Sequence, residues 1–370
     1  MKILLCVASA RLAYGGPALS VTALARNLAR SGAEVGLWCP DGSAMGTEPD
    51  APGAGLRRLA GSLDAAIADF GMPDIVHDNG IWWRHNHRIA RFARRSAIPR
   101  LVSPRGMLEP WARRHKPVRK AIAWQVYQLR DLQQAAALHA TSAQEQANLA
   151  VMLPDRPAVL IGNGLDLPDE AKMAFLPGSG VPQHRQALFL GRIHPVKGLA
   201  LLLRAWPLAA PANWRLVIAG PDENGHRAEL EQEIARLGIA PAISFAGPVT
   251  GEAKARLFAG SHLFVLPSHS ESFGMSVGEA LAHGLPVLTT KNVPWPQLEP
   301  ARCGWRAEVS VASIAEALGQ ATACPDAELA AMGRRGRQLV AEEFGWEGLT
   351  QRFLGLYADL LSHGSKPDMR

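Results

Sequence analysis

The amino-acid sequence predicts an α/β protein built from two doubly wound parallel sheets. Short apolar runs that fit buried strands alternate with helical patterns along the chain, and this alternation is typical of βαβ units. The alternation pauses over Gly164–His184, a stretch rich in proline and glycine, and then starts again. A chain of 370 residues can bury two cores of this kind. We therefore expect one domain over residues 1–165 and a second over residues 166–345.

The elements follow from the apolar pattern. Ile3–Ala8 is a continuous apolar run typical of a buried strand. Gly15-Gly16-Pro17 comes next, and apolar residues then recur at helical spacing from Val21 to Leu28. The same reasoning predicts further strands, in chain order, at Val35–Cys39, Asp74–His77, Arg100–Ser103, Leu138–Thr141, Ala158–Ile161, Ala187–Leu190, Arg215–Ala219, Ile243–Ala246, Leu263–Leu266 and Pro286–Thr289.

Composition limits the class of protein. A charged fraction of 19% with 48% hydrophobic residues is typical of a folded chain rather than a disordered one. No apolar run approaches the roughly 18 residues of a membrane-spanning helix. The four cysteines have no C-x-x-C spacing, which argues against a zinc site and against a disulfide framework. We therefore expect a cytoplasmic protein.

Positive charge is concentrated in the first half of the chain. Residues 1–165 hold 20 Lys and Arg against 12 Asp and Glu, and Arg84–Lys120 alone holds 12 basic residues against one acid. Trp82, Trp83 and Trp111 lie in or beside this stretch. No nucleic-acid recognition motif accompanies it, so we expect no nucleic-acid partner. Two interpretations stay open: a solvated face, or a peripheral contact with anionic lipid headgroups or a polyprenyl-diphosphate-linked acceptor at the inner face of the cytoplasmic membrane.

The Gly15-Gly16 pair lies between a predicted strand and a predicted helix. Small residues there let the backbone approach a phosphate, and the helix start offers free N–H groups. The spacing matches neither a dinucleotide fingerprint nor a P-loop. An ordinary strand-to-helix turn is the alternative.

A second motif, Gly191-Arg-Ile-His-Pro-Val-Lys-Gly198, also follows a predicted strand directly. Its two cations, Arg192 and Lys197, can hold a diphosphate, because Arg offers a fork of donors and Lys a compact charge. A solvated loop is the alternative.

The third motif is Ser270-Glu-Ser-Phe-Gly-Met-Ser-Val-Gly-Glu279, which follows a predicted strand and leads into a helix that Ser272 could cap. Eight residues separate Glu271 from Glu279, about 12 Å at helical rise. That separation suits one carboxylate on a transferred sugar and the other on the ribose of a nucleotide. It exceeds the roughly 5–9.5 Å between the carboxylates of a hydrolase. The alternative is two unrelated surface glutamates.

These motifs, in this order and spacing, resemble those of the retaining family-4 glycosyltransferases of the GT-B fold. The G-R-x-x-P-x-K-G loop and the E-x7-E block carry the resemblance, which covers nearly the whole chain. It implies two facing Rossmann-like domains with an interdomain cleft. Four further stretches are similar to bacterial enzymes that build lipopolysaccharide, capsule or exopolysaccharide: Ser103–Trp111, Leu138–Ser142, Ala219–Glu223 and Leu266–Ser270.

The resemblance also implies roles for single residues. The backbone of Gly15 and Gly16 would approach the diphosphate or the donor sugar, while Arg192 and Lys197 would neutralise the leaving diphosphate. A C-terminal helix within residues 346–370 would cross back to the first domain. The remaining donor-binding residues would be Glu271, Ser272, Phe273, Gly274 and Met275 for the sugar, Glu279 for the ribose, and Gly247 and Val249 for the base.

The sequence departs from the family pattern at one position. Many members carry a histidine after the fourth or fifth strand that contacts the donor sugar, and Arg105 stands about where that histidine would be. His77 ends an earlier predicted strand. We expect both His77 and Arg105 to face the reacting sugar. A structural, hydrogen-bonded histidine is the alternative for His77.

The resemblance implies a metal-independent enzyme that moves a hexose, with retention, from a UDP- or GDP-linked donor. The acceptor would be a surface polysaccharide or a lipid-linked oligosaccharide. The chain has no D-x-D triplet, so we expect no metal and no cofactor besides the nucleotide sugar. The alternatives are a nucleotide-sugar epimerase of the same fold and a non-catalytic subunit that binds glycan or nucleotide. The presence of Arg192, Lys197, Glu271 and Glu279 argues against a decayed site.

Overall fold

A computed structural model describes residues 1–11, 14–46, 55–114, 116–169, 184–209 and 213–362. The chain divides into two compact units. One contains Met1–Gly164 together with the segment that begins at Trp346, and the other contains Leu165–Gly345. Residues 170–183, most of the predicted linker, lie outside the described residues.

The first unit contains a seven-stranded sheet in which every strand pair is parallel. Its strands are β1 (Lys2–Val7), β2 (Glu34–Trp38), β3 (Leu56–Leu59), β4 (Ile75–Asn79), β5 (Arg100–Ser103), β6 (Ala137–Ala140) and β7 (Ala158–Leu160). Their order across the sheet is β3-β2-β1-β4-β5-β6-β7. The helices are α1 (Gly16–Arg30), α2 (Leu63–Phe70), α3 (Arg84–Arg95), α4 (Pro110–Arg114), α5 (Pro117–Ala123), α6 (Leu129–Gln133) and α7 (Ala143–Met152), with a π-helical turn, Trp124–Gln128, between α5 and α6.

The second unit contains a six-stranded parallel sheet. Its strands are β8 (Arg185–Leu190), β9 (Trp214–Ala219), β10 (Ile243–Gly247), β11 (Leu263–Leu266), β12 (Val287–Thr290) and β13 (Gly304–Ala307). Their order is β10-β9-β8-β11-β12-β13. The helices are α8 (Leu199–Ala209), α9 (His226–Leu237), α10 (Gly251–Ala259), α11 (Met275–Ala282), α12 (Val311–Ala323) and α13 (Asp326–Phe344). A last helix, α14 (Trp346–Ser362), belongs to the first unit.

The predicted class, α/β with two doubly wound Rossmann-like sheets, is confirmed. The central strands are buried along almost their whole length, as in Ile3–Val7 of β1, because helices cover both faces of a parallel sheet. Sequence reasoning missed two strands, β3 and β13, and each lies at an edge of its sheet.

The strand orders place the chemical motifs. In each sheet the winding reverses where the first strand lies beside the fourth, which is β1 beside β4 and β8 beside β11. In doubly wound sheets ligands bind outside the carboxyl ends of the strands at this point. The Gly191–Gly198 loop follows β8, and the Ser270–Glu279 block follows β11. The topology therefore brings these two motifs together at the carboxyl-terminal edge of the second sheet, where the strands end.

In the first unit, a buried chain of hydrogen bonds connects α14 to the sheet. Tyr357 of α14 lies 2.7 Å from Nδ1 of His77, whose Nε2 lies 2.7 Å from Oγ of Ser103. That hydroxyl lies 2.6 Å from Nδ1 of His139, and Nε2 of His139 lies 2.7 Å from the carbonyl oxygen of Ile161. The carbonyl can only accept, so with two neutral imidazoles every other proton in the chain is fixed. Tyr357 donates to His77, His77 to Ser103, and Ser103 to His139.

This chain requires both imidazoles to be neutral and protonated at Nε2. Burial lowers the pKa of His77 well below its usual range and the pKa of His139 to about 3. Neither ring therefore carries charge at neutral pH. Since each ring nitrogen already has a partner, the chain is a structural connection between β4, β5, β6 and α14.

We predict that Tyr357→Phe lowers the free energy of unfolding by about 1–3 kcal/mol, because Nδ1 of His77 loses its donor in a site closed to water. Tyr127→Phe is the control, since its hydroxyl donates to the Trp82 carbonyl at a half-buried position that water can reach. Chemical denaturation of the three proteins measures the difference. Equal losses in the two variants would contradict the proposed importance of the buried chain.

Candidate functional site

The loop after β8 is fixed in position by backbone contacts. A short 3₁₀ turn, Pro195–Lys197, is capped by His194, which accepts a hydrogen bond from the Val196 N–H. Gly198 follows with a φ of +69°, and a Cβ there would lie 2.0 Å from the carbonyl oxygen of Pro267. Only glycine fits such a close approach. The loop therefore packs directly against the segment that leaves β11.

Lys197 and Glu271 form an ion pair across the ends of these two strands. The Nζ of Lys197 lies 2.5 Å from Oε1 of Glu271, and the Ser268 hydroxyl donates to the same oxygen at 2.7 Å. The two side chains are only 14% and 12% exposed. Among the described residues, no partner is bonded to Oε2 of Glu271, so that oxygen can accept a hydrogen bond from a ligand.

The second cation of the loop has a carboxylate partner of its own. Nη1 of Arg192 donates to Oε2 of Glu223, and both side chains are more than one-third exposed. Glu223 lies within the Ala219–Glu223 stretch that follows β9. Sequence reasoning noted this stretch as similar to the family but gave Glu223 no role. An exposed pair of this kind exchanges partners readily, because it is weak in water.

The segment after β11 presents free backbone donors. Helix α11 begins at Met275, and its N-cap is Gly274 with a φ of +82°. The N–H groups of Phe273, Gly274 and Met275 donate to no residue within the described parts of the chain. The Phe273 carbonyl is held by Nε1 of Trp295 at 2.6 Å. A helix start with free N–H groups binds anionic or hydroxyl oxygens.

The predicted cap of this helix is wrong. Ser272 lies two residues before the N-cap, and no side chain caps α11. The reason is the left-handed turn at Gly274, which ends the loop and starts the helix without help from a side chain. The N–H groups that Ser272 would have occupied are thereby left for a ligand. A donor contact by Ser272 itself stays a prediction.

Glu279 also forms an ion pair, with a partner that sequence reasoning missed. Nζ of Lys254 in α10 lies 2.7 Å from Oε1 of Glu279, and the two side chains are 25% and 21% exposed. Nothing in the sequence pattern connects these residues, because they lie on separate helices. Each carboxylate of the E-x7-E block therefore pairs with a lysine of its own.

Gly247 and Val249 lie where β10, the outermost strand on one side of this sheet, ends. Gly247 is the last residue of β10, has a φ of +70°, and accepts a hydrogen bond from the Gly220 N–H at 2.8 Å. Val249 packs, half-buried, against the core of the second unit. Their predicted place beside the base stays a prediction.

Gly15 and Gly16 lie in the first unit. Gly15 is the N-cap of α1 with a φ of +89°, and Gly16 is the first helical residue. The first turn has no acidic side chain and no side-chain cap. Its N–H groups and the positive end of the helix dipole therefore remain suited to an anion.

The prediction that His77 faces the reacting sugar is wrong. His77 lies within β4, is fully buried, and uses both ring nitrogens in the hydrogen-bonded chain to Tyr357 and Ser103. The structural alternative considered for His77 is therefore correct. The sequence could not reveal this, because Tyr357 is 280 residues away along the chain.

Arg105 lies at the turn after β5, with a left-handed φ of +56°. Its guanidinium is buried and donates to Oδ1 of Asn79 and Oδ1 of Asn163. Burial lowers its pKa to about 10, so it stays charged at neutral pH. Glu145 holds the adjoining turn, because its Oε1 accepts from the Gly106 N–H at 2.6 Å. A contact between Arg105 and a substrate stays a prediction.

Within the described ranges, no three His, Cys, Asp or Glu side chains converge as they would around a metal ion. No described helix is long and apolar enough to cross a membrane.

Two protein-family models match this chain. The family model described as "Glycosyl transferase 4-like domain" matches residues 15–164, and the model "Glycosyl transferases group 1" matches residues 184–324. The chain belongs to the family-4 glycosyltransferases. Family-4 membership agrees with the resemblance seen in the G-R-x-x-P-x-K-G loop and the E-x7-E block.

Curated relatives support the same family. The D-inositol 3-phosphate glycosyltransferase of Gordonia bronchialis is 37% identical over 187 residues, which are 46% of this chain and 39% of the relative. The enzyme of the same name from Streptomyces scabiei is 34% identical over 209 residues, which are 52% of this chain and 46% of the relative. The chain thus spans less than half the length of either.

Solved structures establish the GT-B fold. Sucrose-phosphate synthase from Thermosynechococcus elongatus is similar with a TM-score of 0.81 and 20% identity, covering 98% of this chain and all of that one. Anabaena HepE, in complex with UDP and glucose, has a TM-score of 0.73 and 19% identity, covering 97% and 99%. At such identities the likeness is one of fold.

We predict that Gly274→Ala destabilises the protein more than Gly238→Ala does. Both glycines have a left-handed φ, which costs an alanine about 1–2 kcal/mol. A Cβ at Gly238 meets nothing within 4 Å, whereas one at Gly274 lies 3.2 Å from Val293 and 3.4 Å from Nε1 of Trp295. Free energies of unfolding from chemical denaturation compare them. An equal loss would mean that the turn before α11 is not tightly packed.

Proposed function

We propose that this chain is a retaining, metal-independent glycosyltransferase. It moves a hexose from a UDP- or GDP-linked donor to the hydroxyl of a glycan acceptor. The observation that carries the proposal is the cluster at the β8 and β11 ends. There Lys197, Glu271 and three backbone N–H groups that have no partner among the described residues lie on segments that follow two neighbouring strands.

The cluster supplies the charge that this chemistry needs. When the bond between C1 of the sugar and the diphosphate oxygen breaks, negative charge grows on the diphosphate and positive charge on the sugar. Arg192 and Lys197 stabilise the first, as preorganised cations do at a developing anion. Oε2 of Glu271 and the N–H groups before α11 hold the sugar hydroxyls, and Glu279 holds the ribose hydroxyls.

The bond changes balance within the two substrates. The acceptor oxygen bonds to C1 on the face that the diphosphate leaves, so the anomeric configuration is retained. The acceptor proton passes to a diphosphate oxygen. The products are the glycoside and the nucleoside diphosphate. In this scheme Arg192 and Lys197 take the place that a divalent cation holds in other transferases.

The comparisons support a nucleotide-sugar donor. HepE was solved with UDP, with UDP-glucose, and with UDP and glucose. Another structural neighbour, from Escherichia coli, is described as bound with UDP-2-fluoro glucose. UDP is therefore the first nucleotide to test, and GDP the second.

For the acceptor we propose a surface-glycan precursor, either a polysaccharide or an oligosaccharide on a polyprenyl diphosphate. A peripheral contact with the inner face of the cytoplasmic membrane, through the basic stretch Arg84–Lys120, would bring the protein to such a lipid. Inositol 3-phosphate, for which the curated relatives are named, is the soluble acceptor for comparison.

We predict that UDP or GDP raises the thermal midpoint of the protein and that EDTA does not change the effect. Lys197→Met weakens the binding of that nucleotide roughly 10- to 100-fold, because a charge-assisted hydrogen bond to phosphate is lost. Arg236→Met is the matched control, since it removes a cation from a surface ion pair on α9. Thermal shift titrations with UDP and GDP, with and without EDTA, compare the wild type with the two variants. A shift that disappears with EDTA would contradict metal independence, and no shift at all would contradict the donor site.

We predict that Glu271→Gln lowers turnover about 10²- to 10³-fold while the protein stays folded, because both the sugar contact and the position of Lys197 suffer. Glu252→Gln, at an exposed ion pair on α10, leaves turnover unchanged. The measurement is release of nucleoside diphosphate from UDP- and GDP-sugars, with membrane lipid extract or inositol 3-phosphate as acceptor.

The same assay separates the rival functions. An epimerase would convert the donor without releasing nucleoside diphosphate. A non-catalytic binding subunit would neither release nucleotide nor lose its partner-dependent function in Glu271→Gln.

A further inference from the structure

The segment from α4 to the π-helical turn forms an open cavity on the first unit. The cavity has a volume of about 520 Å³. Its walls include the indole rings of Trp82 and Trp124, whose centroids lie 6.1 Å apart, and three basic side chains, Arg113, Arg114 and Lys120. None of the described residues that line it is acidic. An aromatic, basic cavity of this kind has no place in the donor chemistry described above.

The cations in and beside the cavity have no acidic partner in the part of the chain that the structure describes. Among the described residues, none of Arg113, Arg114, Lys116, Arg119 and Lys120 forms an ion pair. This contrasts with Arg192 and Lys197 of the donor site, which both pair with glutamates. No described carboxylate pairs with these cations, and their positive field favours an anionic ligand.

One of these cations is held over an aromatic ring. The Nζ of Lys120 lies 5.8 Å from the ring centroid of Trp82 and donates to the carbonyl oxygen of Ala112. These contacts fix the ammonium group at the cavity instead of leaving it to extend into solvent. Burial lowers the pKa of Lys120, which indicates that the charge lies partly out of water.

An apolar stripe runs beside the cavity. Val118, Ile122 and Val126 are 71%, 59% and 72% exposed. They are four residues apart in α5 and the π-helical turn, the spacing of side chains on one helical face. The cavity wall is formed by the residue before each of them, at positions 117, 121 and 125. Three exposed aliphatic side chains in register form a surface suited to contact with an apolar phase.

The rest of the basic stretch lacks this combination. Arg100 and Arg105 are buried inside the first unit. Helix α3 exposes Arg91, Arg94 and Arg95, but its apolar residues face inward, as the burial of Ile89 shows. Of the described part of Arg84–Lys120, only the α4–α5 region combines unpaired cations with an exposed aliphatic stripe.

We propose that the cavity binds the phosphate-bearing headgroup of an anionic membrane lipid, with Val118, Ile122 and Val126 inserted beneath the headgroups. Arg113 and Arg114 contact the phosphate oxygens, and Trp82 and Trp124 lie at the level of the headgroups, where indole rings are favoured. The proposal rests on the proposed function only in that a lipid-linked acceptor gives this docking its purpose. It narrows the membrane contact from a basic stretch to one cavity and one helical face.

Binding of the full-length protein to lipid vesicles tests the proposal. The probes are phosphatidylcholine vesicles with and without phosphatidylglycerol, and binding is measured by co-sedimentation. We expect binding to the anionic vesicles and little to the neutral ones. The triple variant Arg113→Gln, Arg114→Gln, Lys120→Gln should bind roughly a hundredfold more weakly, from the usual contribution of each basic residue at an anionic surface.

Two further triple variants test whether vesicle binding depends on this cavity and its apolar stripe or only on positive charge at the surface. Arg91→Gln, Arg94→Gln, Arg95→Gln removes the same charge from α3 and should bind like the wild type. Val118→Ser, Ile122→Ser, Val126→Ser keeps every charge, so it should bind at low salt and detach at salt concentrations where the wild type still binds. Soluble phosphate and pyrophosphate should compete only weakly, since they lack the apolar part.

Four results would overturn the proposal. Two concern the wild type: no binding to anionic vesicles, or full displacement by soluble phosphate. Two concern the variants: binding of the Arg113, Arg114 and Lys120 variant as strong as that of the wild type, or a loss of vesicle binding in the Arg91, Arg94 and Arg95 variant as large as in that one. Stabilisation by UDP or GDP, measured on the same preparations, reports on folding and on the donor site. Vesicle binding can therefore fail while the proposed function stands, and the reverse.

Discussion

The ion pair between Lys197 and Glu271 is the interaction on which the candidate site depends. It joins the loop after β8 to the segment after β11 at the point where the winding of the second sheet reverses. Both side chains are largely withdrawn from water, so removal of either leaves a poorly solvated charge. The pair holds the lysine in place before any ligand arrives. Under the proposed function, a diphosphate would meet a site that is already organised, which is what electrostatic catalysis requires.

The first unit contains a buried chain of neutral hydrogen-bonded groups. The chain from Tyr357 through His77 and Ser103 to His139 is fully buried and has one consistent assignment of protons. It fastens α14 to three neighbouring strands of the sheet to which the helix returns. In the second unit a charged pair joins two strand ends, whereas here two neutral histidines within the sheet have a structural role. Exposed basic residues of the first unit lie on α3 and around the cavity beside α5.

Much of the fold was predictable because parallel sheets are covered on both faces, and their inner strands are continuous apolar runs such as Ile3–Val7. The edge strands β3 and β13 escaped prediction because they carry exposed or half-buried arginines in short segments. Motif spacing was enough to name Arg192, Lys197, Glu271 and Glu279 as candidates. Their partners Glu223 and Lys254 were not, since only the tertiary fold brings them together. His77 was misjudged for the same reason, because its partner Tyr357 lies on the last helix.

The most direct test of the central claim is a crystal structure of the protein with UDP or GDP, whichever binds. The account predicts that the β-phosphate lies between Arg192, Lys197 and the N–H groups before α11. The ribose should lie within hydrogen-bonding distance of Glu279. A diphosphate bound away from Lys197, or a ribose that does not reach Glu279, would contradict the assignment of this sheet edge as the donor site.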